Sequence, residues 1–292
     1  MTTSDGARHT TPRSFVDLHM HSTASDGARS PAEVVEAAQR AGLAAIALTD
    51  HDTLHGLEEA REAGVRLGVR VVNGVELSAI GESGGEVHVL GLHLSRVDDL
   101  ERELERFRDT RRLRAERIVG RLNTLGIPLT LDAVLAEAGQ GVIGRPHVAR
   151  ALVAGGWVRD FRDAFDRWLG MGRPAYVEKH RLTVGEAIRL IHHAGGLAIL
   201  AHPGGEGTRR RIEELAGLGM DGVEVRHPGH TAEDVARLGA LVEHFRLVPS
   251  GGSDWHGAGE GPRAIGAMEI PASWLERQDA RVRERATREK VA

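Results

Sequence analysis

Short apolar runs alternate with amphipathic segments from Phe15 onward, a pattern typical of repeated strand and helix units. The runs that predict strands are residues 15–18, 43–48, 69–75, 87–92, 197–200, 222–225 and 247–248. The intervening helices carry their own boundary signals. Ser30, Pro31 and Glu33 supply an N-cap, a first-turn proline and a capping-box acid, and Gly42 supplies a stop. Seven strands with helical crossovers predict a closed or nearly closed parallel α/β barrel.

The alternation stops over residues 97–179, where the apolar spacing is helical throughout. We therefore predict a helical subdomain inserted into the barrel, which divides the barrel into residues 15–96 and 180–272, and we expect the insert to cover the active site. Residues 1–14 are expected to form a disordered tail. The charge-rich segment 273–292 is expected to form a surface helix that frays.

Composition narrows the class of protein. The chain has 292 residues, 41% of them hydrophobic, which is enough to bury a sizeable core. It has no cysteine, so any metal must be held by histidine and carboxylate, a donor set that suits Mn, Zn, Fe or Mg. Since the chain can form no disulfide, a cytoplasmic location is expected. No apolar stretch predicts a membrane span. The net charge of −4 argues against stable binding of duplex nucleic acid. The 16 histidines are unusual.

Potential metal ligands follow the predicted strands, at or beyond the end of each run. His19 and His21 end the first run, and strand alternation sends both imidazoles to the same face. The later runs are followed by further histidines and carboxylates, while His88 lies inside its run. An α/β barrel assembles its active site at the carboxyl ends of its strands. Isolated His-x-His strings occur by chance, but six such elements on successive runs predict metal-assisted hydrolysis.

Four strings carry a resemblance to a known family. They are Asp17-Leu-His19-Met-His21-Ser, Thr49-Asp50-His51, Ala201-His202-Pro203 and Ser253-Asp254-Trp-His256-Gly, and they resemble the motifs of the PHP (polymerase and histidinol phosphatase) family. Ser25-Asp26-Gly27 and the long helical insert resemble the branch that contains nucleoside 3′,5′-bisphosphate phosphatase and RNase AM. The resemblance runs from Phe15 to about Ile270. It implies a distorted seven-stranded β/α barrel, consistent with the predicted strands.

The resemblance also implies nine ligands for three divalent ions, with manganese expected and iron, zinc or magnesium as alternatives. The ligands are His19, His21, Asp26, His51, Glu76, His88, His202, Asp254 and His256. Within this set Glu76 bridges a first ion, held also by His19, His21 and Asp254, to a second ion held by His88 and His202; the third ion takes the remaining ligands. Asp50 and Asp52 are interpreted as carboxylates that orient the imidazoles from behind.

Arginines of the insert are candidates for binding substrate phosphate. Arg111 and Arg114 interrupt an apolar helical stripe, and they either pair with insert carboxylates such as Glu116 or form an anion clamp. Arg145 precedes a predicted helix start, where backbone amides also favour an anion. The resemblance implies that substrate phosphate contacts one or more of these arginines and Arg112, without deciding which.

Two further histidines follow the sixth predicted strand. His227 and His230 are candidates for protonating the leaving oxygen, and the alternative is that neighbouring backbone groups satisfy both rings in a loop. The identity of the proton donor stays open at this point.

The function that the resemblance implies is hydrolysis of the 3′-phosphate of nucleoside 3′,5′-bisphosphates to 5′-mononucleotides, with 5′-to-3′ degradation of short 5′-phosphorylated RNA at the same site. The expected partners are therefore a nucleotide or a short RNA, and the sequence leaves the oligomeric state open. Three alternatives remain: a histidinol phosphate phosphatase, a proofreading module of a DNA polymerase, and a metal-binding regulatory module without catalysis. A histidinol phosphate phosphatase has no use for a second phosphate pocket. A regulatory module without catalysis tends to lose metal ligands.

Overall fold

The computed structural model describes residues 15–82, 84–139, 143–177, 182–257 and 259–289. Among these residues the strands are β1 (Phe15–Asp17), β2 (Ala45–Leu48), β3 (Arg70–Ile80), β4 (Glu86–Leu92), β5 (Leu182–Thr183), β6 (Leu197–Leu200), β7 (Gly222–Arg226), β8 (Val248–Gly251) and β9 (Ile270–Pro271). The α-helices are α1 (Pro31–Arg40), α2 (Leu57–Leu67), α3 (Val97–Thr124), α4 (Leu131–Ala138), α5 (Arg145–Ala154), α6 (Phe161–Ala164), α7 (Val184–His193), α8 (Arg209–Gly217), α9 (Ala232–His244) and α10 (Ala272–Glu289). A π-helical turn, Phe165–Leu169, follows α6. The expected tail 1–14 lies outside the described residues.

The strands form one sheet in the order β8-β7-β6-β4-β3-β2-β1-β9, and β5 pairs with β3. The pairs β1–β2, β2–β3, β6–β7 and β7–β8 are parallel. At the far edges the sheet curls back on itself: the amide of Leu18 donates to the carbonyl of Gly251 at 3.1 Å, and Met20 forms a bridge with Trp255. The prediction of a nearly closed α/β barrel is therefore confirmed.

The short strand β9, which the sequence did not predict, pairs antiparallel with β1, and among the predicted strands β4 breaks the parallel arrangement. β4 runs antiparallel to both of its neighbours, β3 and β6. The reason is the short connection between β3 and β4, in which the amide of Gly81 donates to the carbonyl of Gly85 at 2.9 Å. A turn of this length joins antiparallel strands, whereas a parallel pair needs a crossover of about a dozen residues or more. The amino end of β4 therefore lies at the same mouth of the barrel as the carboxyl ends of the parallel strands.

Local capping follows the sequence signals. The Ser30 hydroxyl accepts from the amide of Glu33 at 3.3 Å, and the Glu33 carboxylate accepts from the amide of Ser30 at 2.8 Å, which is the capping box predicted for α1. Gly42 after this helix has φ of 74°, a left-handed conformation that glycine adopts without strain. These signals fix where α1 begins and so where the preceding loop must end.

All described elements between Val97 and Leu169 are helical, and they have an apolar cluster of their own. The change of core occurs inside α3. Leu100 and Leu104 pack in the cluster of the barrel, while Ala115, Ile118 and Leu122 pack in the cluster of the insert. The long helix is thus anchored in the barrel at its start and supports the insert with its second half.

The predicted C-terminal helix is present as α10, but one side of it packs against the barrel, where the sequence predicts a surface helix. Leu275 is 5% exposed and Gln278 is 0% exposed. The Gln278 amide donates to the carbonyl of Pro249 at 2.8 Å, and Arg70 donates two hydrogen bonds to Asp279 at 2.6 and 2.7 Å. The sequence expectation is corrected here because a few polar residues of a charged helix find partners on the sheet, which charge content alone does not reveal. Among the described residues, no helix combines the length and apolar character needed to cross a membrane.

Candidate metal centre and active site

The segment that follows β1 places two buried imidazoles on the same side. His19 and His21 are 0% exposed, and Met20 between them packs in the apolar cluster of the barrel. Their Nε2 atoms lie 3.1 and 3.2 Å from Oε2 of Glu76. The same two nitrogens lie 3.5 and 3.3 Å from Oδ1 of Asp254, which follows β8. Two imidazoles and two carboxylates thus converge on one point.

Glu76 joins this group to further imidazoles. It lies in β3, and its carboxylate is 1% exposed. While Oε2 faces His19 and His21, Oε1 lies 2.8 Å from Nδ1 of His88 and 3.1 Å from Nε2 of His202. The carboxylate therefore has one oxygen on each side, as a residue shared between two ions requires.

His88 reaches the mouth because β4 is antiparallel. It lies near the amino end of Glu86–Leu92, paired with Ser78 of β3. In a parallel strand a residue so early in the run would lie at the opposite end of the barrel. The exceptional position of His88 inside its predicted strand is thus explained by the strand direction.

A third group lies on the outer side of His21. The Nε2 atom of His256 is 3.2 Å from Oδ1 of Asp26, and Nε2 of His51 is 3.9 Å from Oδ2 of the same carboxylate. The hydrogen bond from His256 lowers the pKa of Asp26 to about 2. Ring contacts link this group to the first, with the His21 centroid 4.2 Å from that of His256 and 4.6 Å from that of His51.

The carboxylates at the centre stay ionised although they are buried. Burial acts to raise the pKa of Glu76, but His19 and the other adjoining imidazoles outweigh it, and the pKa lies well below its ordinary value. For Asp254, burial again acts to raise the pKa, but contacts with His21 and His227 outweigh it, and the pKa lies well below its ordinary value. Anionic oxygens and imidazole nitrogens therefore face one another across a small space.

This donor set fits divalent ions. Both ring nitrogens of His21 and Nδ1 of His88 are buried and make no hydrogen bond with any residue that the structure describes. Yet these nitrogens face carboxylate oxygens at 2.8 to 3.7 Å. Buried polar atoms without hydrogen bonds are rare in proteins, and lone pairs that converge without bonding are expected where an ion binds. Histidine and carboxylate without cysteine suit Mn, Fe, Zn or Mg.

Asp50 does not orient an imidazole, contrary to the sequence interpretation. Its carboxylate accepts from the amide and the hydroxyl of Ser22, both at 2.7 Å, and from the hydroxyl of Ser25 at 2.6 Å. Asp50 therefore fixes the loop that carries Asp26. The sequence could not separate these roles, because an aspartate beside a histidine in the chain can turn its carboxylate either way.

Asp52 connects the barrel to the insert. It accepts from the amide of Ser78 at 3.0 Å and from Arg111 of the insert helix α3 at 2.6 Å. Its φ of 51° is unusual for a residue with a side chain. Arg111 is thereby tied to the residue that follows His51 in the chain.

Two residues of the site were missed by sequence reasoning. Glu224 in β7 is 0% exposed, and its carboxylate lies 3.1 and 3.3 Å from Nδ1 of His19. Burial acts to raise its pKa, but the adjacent His19 outweighs this and the pKa is lowered. A glutamate within the apolar run 222–225 was the available signal. Arg263 donates to Oδ2 of Asp254 at 2.5 Å, and no pattern in its loop marked it.

An open cavity of about 340 Å³ lies over the convergent ligands. Its lining residues are His51, Glu76, His88, His202, His227, Gly229, His230, Asp254, His256 and Arg263. Glu76 thus borders a space large enough for a phosphate group. Polar groups converging in a concave site are what a small-molecule reaction needs.

His227 and His230 differ in what their rings can do. Both nitrogens of His230 are occupied by the backbone: Nδ1 donates to the carbonyl of Val225 at 2.9 Å, and Nε2 accepts from the amide of Gly204 at 3.1 Å. Because donor and acceptor are both used, His230 matches the structural alternative considered from the sequence.

His227 keeps a proton on the side of the ligands. Its Nδ1 accepts from the amide of Gly229 at 3.0 Å, so the proton of the neutral ring is on Nε2, which lies 3.4 Å from Oδ2 of Asp254. This Nε2–H group lines the cavity and can move toward a substrate oxygen.

The predicted phosphate-binding arginines other than Arg111 have partners within the insert. Arg112 pairs with Glu116 at 3.3 Å on the exposed face of α3, and Arg114 donates to the carbonyl of Val177 at 2.8 Å. Arg114 thus has an intramolecular partner, a backbone carbonyl, whereas the alternative considered from the sequence was pairing of Arg111 or Arg114 with an insert carboxylate such as Glu116.

Arg145 lies at the start of α5, as predicted, and is sandwiched by aromatic rings. Its guanidinium carbon is 5.7 Å from the centroid of Phe165 and 5.4 Å from that of Tyr176, and Nη1 donates to the carbonyl of Leu169 at 3.1 Å. Cation–π contacts of this kind hold a guanidinium in one orientation.

Comparison with known proteins gives the family. The PHP domain matches residues 17–123. A 5′-3′ exoribonuclease of Haemophilus influenzae is 36% identical over 266 residues, which cover 89% of this chain and 92% of the relative. A 3′,5′-nucleoside bisphosphate phosphatase of Chromobacterium violaceum is 36% identical over 261 residues, covering 87% and 91%. The chain belongs to the PHP family of metal-dependent phosphoesterases.

A solved structure agrees with this assignment. The crystal structure of a proposed metal-dependent phosphoesterase from Bifidobacterium adolescentis superposes with a TM-score of 0.68 at 32% identity, covering 93% of this chain and 98% of that one. The resemblance inferred from four short strings thus extends over nearly the whole chain, including the helical insert.

Proposed function

We propose that this PHP phosphoesterase hydrolyses the 3′-phosphate of nucleoside 3′,5′-bisphosphates to 5′-mononucleotides, and degrades short 5′-phosphorylated RNA from its 5′ end at the same site. The observation that carries the proposal is the convergence of six imidazoles and three carboxylates, with Glu76 at their centre, beneath one cavity. The relatives from Haemophilus and Chromobacterium carry the names of these two activities.

The proposed metal centre holds three divalent ions, with manganese as the expected metal. Its ligands are His19, His21, Glu76 and Asp254 for the first ion, Glu76, His88 and His202 for the second, and Asp26, His51 and His256 for the third. Bound ions would neutralise the phosphate and lower the pKa of bound water toward neutrality. We expect the enzyme to work in the cytoplasm.

The protein's own groups would perform the remaining steps. Phosphate ester cleavage leaves an alkoxide, which needs a proton, and His227 at the cavity wall would donate it from Nε2 as the imidazolium and return to the neutral ring. In the charged ring Nδ1 also carries a proton, so the Gly229 amide would give up its present contact with Nδ1. Arg263, on the same wall, would pair with oxygens of the reacting phosphate. Arg111 would bind the second phosphate of the substrate, because its contact with Asp52 ties the insert to the segment that carries His51.

Histidinol phosphate phosphatase is the rival activity, since it would use the same ions. Its substrate carries a single phosphate, so Arg111 of the insert would have no second phosphate to bind. A purely regulatory metal module is disfavoured by the complete ligand set and by the open cavity above it.

The deciding experiment compares three substrates with manganese-loaded protein. Turnover of adenosine 3′,5′-bisphosphate and of a 5′-phosphorylated oligoribonucleotide should exceed turnover of histidinol phosphate. Treatment with a chelator and the variant Glu76→Gln should each reduce the rate by about 100-fold or more, given the losses typical of ligand changes. Preferred turnover of histidinol phosphate, or full activity after removal of metal, would contradict the proposal.

A further inference from the structure

Glu224 is a buried charge whose contacts are all directed at the metal centre. It lies in β7 and is 0% exposed. Its carboxylate accepts from two donors, Nδ1–H of His19 at 3.1 Å and the amide of His202 at 2.7 Å. Burying a carboxylate costs several kcal/mol of solvation unless donors replace the lost water. A charge in this place therefore needs a function that an apolar residue could not perform.

The first contact decides which nitrogen of His19 is free. An ionised carboxylate only accepts hydrogen bonds, so Glu224 keeps a proton on Nδ1 of His19. Nε2 lies 3.1 Å from Glu76 and 3.5 Å from Asp254, and an ion bound between these groups would take the place of any proton on Nε2. The ring is thus held in the tautomer that can ligate an ion.

The second contact holds a strained turn. His202 has φ of 28°, a conformation that residues with a side chain rarely adopt. The bond from its amide to Glu224 keeps the backbone there, and in this conformation Nε2 of His202 lies 3.1 Å from Oε1 of Glu76. His19 faces the other oxygen of the same carboxylate.

We propose that Glu224 is a positioning residue that prepares His19 and His202 together, one on each side of the bridging Glu76, for two neighbouring ions. Glutamine cannot replace it, although it has the same shape. With its oxygen toward the amide of His202, its NH₂ group would stand in the place of Oε1, which lies 3.1 Å from Nδ1 of His19. To accept from that NH₂ group, His19 would have to move its proton to Nε2 and lose its lone pair for the ion.

The test measures ion binding, so it does not depend on the substrate. The inference rests only on the metal centre of the proposed function. Protein stripped with a chelator is titrated with Mn²⁺, and free manganese is followed by electron paramagnetic resonance. For Glu224→Gln we expect the affinity for one or two of the ions to fall by about 10- to 100-fold. Glu224→Asp keeps the charge and should recover part of the loss.

Asp234→Asn is the matched control. Asp234 is also a largely buried carboxylate, but it caps α9 through Thr231 and pairs with Arg237. Its substitution should leave the number of bound ions and their affinities unchanged. A general effect of removing a buried charge would appear in both variants, whereas a positioning role appears only at Glu224.

Three outcomes overturn the inference or separate it from the function. Wild-type affinities in Glu224→Gln would overturn it. If that variant does not fold, nitrogen NMR of the zinc-loaded wild-type protein decides, since a proton on Nε2 of His19 would also overturn it and a proton on Nδ1 would support it. Failure of the wild-type protein to bind any ion would instead contradict the proposed function.

Discussion

The mouth of the barrel and the helical insert both bring charged side chains to the site, but they hold them differently. At the mouth, short side chains follow strand ends, and the backbone of the sheet sets their positions. His21, for example, is buried between two strands and faces Glu76 and Asp254. In the insert, long arginine side chains extend from helices, and Arg112 and Arg114 contact Glu116 and the carbonyl of Val177.

The difference teaches where sequence patterns carry chemical information. A histidine has two rotatable side-chain bonds, so strand direction and register nearly fix its ring. An arginine reaches several ångströms farther, and its final contact depends on the packing of other helices. We therefore regard the mouth as preorganised, while the phosphate contacts of the insert depend on what a substrate offers in exchange for the present partners.

The largest expected effect tests whether the mouth supplies the proton as well as the ligands. His227→Asn should reduce kcat for adenosine 3′,5′-bisphosphate by about 10²- to 10⁴-fold, because the leaving alkoxide loses its general acid. Para-nitrophenyl phosphate has a leaving group that needs no proton, so its hydrolysis should decline far less. Steady-state kinetics on both substrates measure the contrast.

His230→Asn serves as the control for this prediction. Since both ring nitrogens of His230 are bound by the backbone, its substitution should lower stability without the contrast between the two leaving groups. Equal losses on both substrates in His227→Asn would remove His227 from the role of proton donor and leave that role to bound water.

The next effect tests whether the insert takes part in recognition. Arg111→Ala should reduce kcat/KM for the bisphosphate by about 10- to 100-fold, the loss expected for one charge-assisted contact. The rate with a simple monoester should change much less, because that substrate has no second phosphate. Asp52→Asn should produce a weaker version of the same selective loss, since it only releases the guanidinium.

Arg112→Ala is the matched control on the same helix. Arg112 is 59% exposed and pairs with Glu116, so its loss should leave both substrates unaffected. If Arg111→Ala lowers the hydrolysis of the two substrates equally, the Arg111–Asp52 pair has a structural role. The insert would then make no contact that distinguishes the bisphosphate from a simple monoester.

The same comparison explains what could be predicted. Strand alternation and the ends of apolar runs indicated the barrel, and they located His19, His21 and Glu76 before any contact was known. The direction of β4 was not predicted, because periodicity is blind to strand direction and only the short connection at Gly81 determines it. Glu224 was missed because a single charge in an apolar run does not show which group it meets across the sheet.

The smallest expected effect concerns the C-terminal helix α10, which belongs neither to the mouth of the barrel nor to the insert. Its charged sequence predicts a surface helix that frays, yet Asp279 accepts two hydrogen bonds from Arg70 on β3. Asp279→Asn should therefore lower the free energy of unfolding at pH 7 by about 0.2 to 1 kcal/mol, the range for partly exposed ion pairs. The difference in melting temperature between wild type and variant measures this.

The pH dependence of that difference gives the sharper test. The hydrogen bond from Arg70 lowers the pKa of Asp279 below its ordinary value. A group whose folded pKa is lowered contributes stability above its unfolded pKa, about 3.9 for aspartate, and loses it as the pH falls through the folded value. The two proteins should therefore differ at pH 7 and converge below about pH 4. Glu284→Gln, on the exposed face of the same helix, should match wild type at every pH. If Asp279→Asn also matches wild type at pH 7, the Arg70 contact does not hold α10 on the barrel, and packing of Leu275 and Gln278 alone would have to account for its position.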